Sequence, residues 1–238
     1  MRILAVLVVL LAPQASLAQS CPQPLAAAHR LVLVVADQMT SATARVQRFA
    51  RTAPEAAWKP VGGAASALMG HRGIGWAQAF RKLARAGEPV KVEGDKRTPA
   101  GFFGLGGTFG FAASPRPGYF RIADGTTCVN DVSSRAYNTI TTRAKIGWSV
   151  RGENMWRVPA YRSGLFIEYP SDAKMRAGSC IFIHLWLPRM TGTAGCVAVK
   201  EPEIAALQDF AKDGAVLAVL PRQAVDRLHG CLPDSRKR

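Results

Sequence analysis

No Cys-x-x-Cys and no His-x-x-x-His spacing occurs in this chain, which leaves a structural zinc site without its usual signature. No Gly-x-Ser-x-Gly elbow is present either, so a serine hydrolase of that type is not supported. Beyond the first residues there is no apolar run long enough to span a bilayer. Long helical patterns are scarce, and there is no internal repeat or low-complexity segment. Acidic residues are few, 16 against 31 Lys and Arg, giving a formal charge of +15. The Arg residues are scattered, with no stripe and no nucleic-acid motif, so no nucleic-acid partner is read from them. The charge suits an anionic wall polymer or lipid, or simply solubility.

What is present describes a globular chain. Nearly half of the 238 residues are apolar and a fifth are charged, enough for one domain with a sizeable core. Glycine (22) and proline (15) are spread throughout, which points to a mainly β, β-rich α+β fold with many turns. Arg2 precedes the apolar run Ile3 to Ala12, and the small residues Ser16 and Ala18 precede Gln19. That pattern reads as a signal peptide over residues 1–18 and an exported protein. The five cysteines, Cys21, Cys128, Cys180, Cys196 and Cys231, all follow it. In an oxidising compartment most should pair, and an odd count leaves one thiol over without saying which.

Leu31 to Val35 reads as a buried strand, and residues 45–51 as a second. Residues 58–75 read as turns and short strands, 76–85 as a short helix, and 128–137 as a polar loop. Cys180 to Leu187 is the strongest strand pattern. Alternation places Ile181, Ile183, Leu185 and Leu187 on one face and Cys180, Phe182, His184 and Trp186 on the other. Pro202 suits the first turn of a helix with Ile204, Leu207, Phe210 and Ala211 on one side. Val216 to Leu220 is a closing strand.

Acyl transfer through cysteine needs a thiol, a base and donors for an oxyanion. Cys196 follows Gly195 in a Gly/Thr-rich turn, and His184 lies twelve residues earlier on the strand. The spacing permits this pair without requiring it. From spacing alone each residue reads more often as packing: Cys196 as a small hydrophobe or half a disulfide, His184 as a satisfied strand histidine. The other histidines, His29, His71 and His229, are far apart in sequence.

Ile183-His184-Leu185 followed by Thr193-Ala194-Gly195-Cys196-Val197 resembles the L,D-transpeptidases, the YkuD-like family of peptidoglycan enzymes. Gly94-Asp95-Lys96-Arg97-Thr98-Pro99-Ala100-Gly101 is similar to that family's Thr-Pro-x-Gly lead-in to a strand. The two motifs stand in the family's order. Ala194, Ala198 and Leu185 depart from the commoner pattern, and the loop between His184 and Cys196 is short, as in the Thr-Ala-Gly-Cys branch. The resemblance implies a mixed-sheet β-sandwich with a few short helices over residues 30–221, followed by a basic tail over 222–238.

For chemistry, the resemblance implies Cys196 as nucleophile, His184 as proton acceptor and donor, and the amides of Gly195 and Cys196 as oxyanion donors. No metal and no cofactor are implied. Trp186 and Tyr137 become candidates for lining the substrate, or for plain packing. With Cys196 free as the resemblance implies, the remaining four cysteines allow three pairings; Cys21 and Cys231 flank the domain, so Cys21–Cys231 and Cys128–Cys180 are the expected bridges. The partner is the tetrapeptide stem of peptidoglycan, in the periplasm or cell envelope, with no transmembrane segment in the mature chain. The acyl acceptor stays open: a second stem, an envelope protein's amine, or water, which would make a carboxypeptidase. A non-catalytic exported wall-binding module is the non-enzyme alternative.

Overall fold

The computed structural model describes residues 21–228 and 230–233. The expected signal peptide, His229 and the last five residues lie outside them. In chain order the first strands are β1 (Arg30–Ala36), β2 (Thr43–Ala50), β3 (Lys59–Leu68), β4 (Ile74–Trp76), β5 (Thr98–Gly110) and β6 (Phe120–Arg121). Then come β7 (Thr126–Val129), β8 (Ile140–Thr142), β9 (Gly152–Asn154), β10 (Ser163–Glu168), β11 (Phe182–Leu185), β12 (Val197–Val199) and β13 (Val216–Pro221). The helices are short: α1 (Arg143–Ile146), α2 (Glu201–Ala211) and α3 (Arg222–Arg227).

Leu31, Val32, Leu33 and Val34 send apolar side chains to both faces of β1, and all four are buried. A strand apolar on both faces belongs at the centre of a sheet. β1 lies there, antiparallel to β2 on one edge and parallel to β13 on the other. The sheet continues in the order β10-β11-β12-β3-β2-β1-β13-β5, with β4 and β6 also on β5. β5 also pairs with β10, so the sheet closes on itself like a barrel. Residues 101–104 of β5 pair with β13 and residues 104–110 with β10. The fold is therefore mainly β, a mixed sheet with few short helices. β8, β7 and β9 form a separate three-stranded antiparallel sheet.

Two apolar clusters fill the molecule. The larger holds β1, β13 and the inner face of α2. The smaller gathers Phe109, Met155, Tyr161 and Phe182 around Cys128, Cys180 and Cys196. β11 divides the two, sending Ile183 and Leu185 to the larger and Phe182 to the smaller.

Several local expectations change. Residues 59–68 form one long strand, because β2 supplies a partner along its length, with a register shift between Val46 and Arg48. Residues 78–83 form a 3-10 turn. Residues 126–129 leave the expected loop and pair with β8 and β9. The strand at His184 begins only at Phe182. Cys180 sits at φ +56°, off the ladder, so it does not share the strand face of His184. The packed core also runs past residue 221. Ala224 and Val225 of α3, with Leu228 and Leu232 beyond it, are buried in the larger cluster.

Cys231 is bridged to Cys21, and Cys128 to Cys180. The first bridge closes a loop of 210 residues and ties the two ends of the described chain together. Such a bridge acts largely by restricting the unfolded chain. The double variant Cys21→Ser/Cys231→Ser is expected to lose about 2–5 kcal/mol of stability. Urea unfolding of the mature protein, with and without the bridge, checks this.

Candidate functional site

The backbone at Gly195 sets the direction of Cys196. Gly195 has φ +152°, and a Cβ there would press on Arg97 O and Ile181 Cδ1, each at 3.1 Å. That conformation belongs to glycine. Thr193 closes the turn: its hydroxyl donates to Cys196 O at 2.6 Å and accepts from the Gly195 amide at 3.1 Å. Thr98 donates to the same Cys196 carbonyl at 3.1 Å and accepts from Gly70 N at 2.8 Å. The two sequence motifs, residues 94–101 and 193–196, thus meet on one carbonyl oxygen. Gly195→Ala is expected to cost about 1–3 kcal/mol through the strained backbone alone. Thermal unfolding beside a control at exposed Gly63 measures it.

Asp95 braces the Thr98 side of this meeting. Its carboxylate accepts from the amides of Val92 and Arg97, each at 2.9 Å, and from Lys91 Nζ at 2.5 Å. The Lys91 side chain is almost wholly buried. Its ammonium also donates to Val92 O at 2.9 Å.

Among the described cysteines, Cys196 alone is free. Its sulfur accepts from Phe182 N at 3.4 Å and its S–H donates to Cys180 O at 3.4 Å. Tyr161 packs in the same buried cluster. The residue is 7% exposed. Burial pushes the thiol pKa up to about 12, and the Glu153 charge pushes the same way. The Phe182 amide, the Tyr161 hydroxyl and the Lys91 ammonium oppose this without prevailing. At rest the group is a neutral thiol.

His184 pairs in register with Ala198, and Ile183 with Val197, on parallel β11 and β12. Alternation along that ladder puts Cys196 and His184 on the same side of the strand pair. His184 Nδ1 lies 3.0 Å from Leu185 O. A carbonyl only accepts, so the ring proton sits on Nδ1 and Nε2 keeps its lone pair. Burial lowers the imidazole pKa below the ordinary 6.5, against the Leu185 carbonyl, which raises it. The ring is therefore a neutral base at pH 7. It is not a hydrogen-bond partner of the thiol in this structure.

Tyr161 shares the buried cluster of Cys196 and packs on His184. Its ring meets His184 edge-on, centroids 5.4 Å apart, and its hydroxyl donates to Glu153 Oε2 at 2.7 Å. Glu153 lies on β9 opposite Cys128, whose bridge to Cys180 holds the carbonyl that accepts from the thiol. Sequence reasoning missed Tyr161 and Glu153. They belong to residues 152–162, a short strand followed by 3-10 turns, where no periodicity or motif marks a side chain.

The other expected residues lie as follows. The Gly195 amide is engaged by Thr193 Oγ1, so it does not face open space. Tyr137 packs: it is buried, its hydroxyl donates to Glu93 Oε2 at 2.6 Å and accepts from Gly178 N at 3.1 Å. Trp186 follows β11, half-buried, with its indole N–H on Met190 O at 3.2 Å. Two clefts, of about 410 and 240 Å³, open elsewhere and include neither Cys196 nor His184. Among the described residues no group of three or more His, Cys, Asp or Glu is placed to hold a metal ion. None of their helices is long and apolar enough to cross a membrane.

No protein-family model matches the chain, and no curated protein matches it. The reading of the site therefore stands on its own residues.

Proposed function

We propose that this protein is an exported cysteine acyltransferase of the L,D-transpeptidase type, with that family's β-sandwich, acting on tetrapeptide stems of peptidoglycan in the periplasm or envelope. The observation that carries the reading is a free thiol set just before β12, the strand that pairs in register with the β11 strand of a neutral His184. Cys196 is held by a glycine-dependent turn beside the strand of His184. Two disulfides and the charge of +15 support an exported protein working against an anionic polymer.

In this reading the thiol turns from Cys180 O toward His184 Nε2, which takes its proton. The sulfur attacks the carbonyl of the third stem residue, and the amide bond to the terminal D-alanine breaks. His184 returns the proton to the departing amine, leaving a thioester on Cys196. An amine of a second stem, or of an envelope protein, then resolves it. The Cys196 amide is the oxyanion donor the reading keeps, and Gly195 contributes only if Thr193 releases its N–H. No metal or cofactor enters any step.

One observation favours a second reading. A buried thiol with its pKa near 12 is also the state of an inert core cysteine, which would suit a wall-binding module. Incubation with a tetrapeptide muropeptide separates the readings. Free D-alanine with a cross-linked dimer marks a transferase, and free D-alanine with tripeptide alone marks a carboxypeptidase. Wall binding with no D-alanine released leaves only the binding module.

A further inference from the structure

We propose that Trp148 and Trp156 form a binding platform for the glycan strand of the wall, with Lys145 and Arg157 as its cationic rim. The inference rests on the wall reading for the identity of the sugar polymer. It uses neither Cys196 nor His184, so it holds for a transferase and for a binding module alike.

Trp148 is the least covered large apolar side chain among the described residues, at 69% exposure. An indole left in water forfeits the burial that usually holds one in place. Its position is nevertheless built. It stands just after α1, beyond Gly147 at φ +72°. The Arg143 guanidinium lies over its ring, Cζ 5.0 Å from the centroid. Arg143 is itself buried, and bonds to Asn154 Oδ1 and to the carbonyls of Gly147, Val150 and Gly152. One face of the indole thus rests on a cation held by four acceptors, and its exposure belongs to the other face. Trp156 meets Trp148 nearly edge-on, centroids 6.5 Å apart at 67°. Trp156 is half-buried and packs on the cluster that contains Cys196, Tyr161 and Phe182. The pair joins an open aromatic face to the cluster that holds the thiol.

The chemistry of the partner follows from what surrounds the rings. Residues 143–157 carry four cations, Arg143, Lys145, Arg151 and Arg157, against one acid, Glu153. Arg143 is enclosed, Arg151 reaches Asp131 at 3.7 Å, and Glu153 is taken by the buried Tyr161 hydroxyl. Lys145 and Arg157 stay exposed, Arg157 with its Cζ 5.3 Å over the Trp156 ring. A pyranose ring is apolar on its C–H face and polar at its edge. It stacks on an indole while its hydroxyls and carboxylates accept from cations beside the ring. A lipid surface is met differently, by several apolar side chains together. Within residues 143–157 Trp148 is the one exposed large apolar side chain. The match is to a carboxylate-bearing sugar strand.

The test is calorimetric titration of the mature protein with peptidoglycan glycan strands freed of stem peptides, which keep their lactyl carboxylates. Trp148→Ala is expected to raise Kd about tenfold. Trp148→Phe keeps a flat ring and should stay within about threefold of the parent. Arg157→Gln should raise Kd about threefold and flatten its dependence on salt. Circular dichroism checks the fold of each variant, and Arg157→Gln decides alone if Trp148→Ala unfolds. A folded Trp148→Ala that binds the strands as tightly as the parent overturns the proposal. So does a parent that ignores the strands, or one that gathers through Trp148 on vesicles of anionic phospholipid and leaves the strands free. Strand binding that needs Trp148, in a parent that forms no acyl adduct with a tetrapeptide muropeptide, keeps the platform and sinks the transferase reading.

Discussion

Cys196→Ala is expected to abolish release of D-alanine from a tetrapeptide stem, a loss of about 10⁶-fold, as for other covalent nucleophiles. The size follows from the role: without sulfur there is no thioester, and no neighbouring group replaces it. Among the described residues the other cysteines are locked in bridges. Folding should be little changed, since alanine removes one sulfur and leaves the Thr98 and Thr193 bonds to the residue 196 carbonyl in place. His184→Asn should lose less, about 10²–10⁴-fold, the usual range for a general base. The pH dependence has a defined sign. The His184 pKa is lowered by burial, so its neutral form persists below pH 6.5 and activity is lost only as pH falls through that lowered value. Any stability tied to the neutral ring is lost earlier, as pH falls from 6.5 towards that lowered value, because the unfolded chain takes up the proton first.

Asp95→Ala is expected to have the largest effect on stability, about 3–5 kcal/mol. The Lys91 side chain is 2% exposed and Asp95 is its ion-pair partner at 2.5 Å. Removing the carboxylate leaves an ammonium in the interior with only Val92 O as acceptor. The same change frees the amides of Val92 and Arg97. Because Arg97 precedes Thr98, the disturbance reaches the carbonyl of Cys196. Lys91→Met combined with Asp95→Asn should recover much of the loss, since the uncompensated charge is then gone. Urea midpoints of the single and double variants check this, and a single-variant loss under about 1 kcal/mol would contradict it.

How much of this was legible in the sequence depends on how local each feature is. Helix α2 was readable because Pro202 marks its first turn and Ile204, Leu207 and Ala211 recur at helical spacing and are buried. β1 was readable from its unbroken apolar run Leu31 to Val35, with β-branched valines at 32, 34 and 35. The Thr193–Cys196 turn and the Thr98 lead-in were readable as motifs, because each holds its shape through bonds within a few residues. That they share one carbonyl was not readable, since Thr98 and Cys196 are 98 residues apart. The closure of the sheet was hidden for the same reason: β5 pairs with β13 along one half and β10 along the other, and nothing local in Phe102 or Phe109 states that. Cys180 was misplaced by the alternation rule because its backbone turns to φ +56° before the ladder begins. Tyr161 and Glu153 lie in a segment with no period, and only the fold brings them to Cys196.

The most direct test of the central claim is the intact mass of the mature protein after incubation with a carbapenem or a tetrapeptide muropeptide. One acyl equivalent should add to the parent, vanish on Cys196→Ala, and form more slowly on His184→Asn. A parent protein whose mass does not change, or a Cys196→Ala variant that still gains the acyl group, would contradict the account.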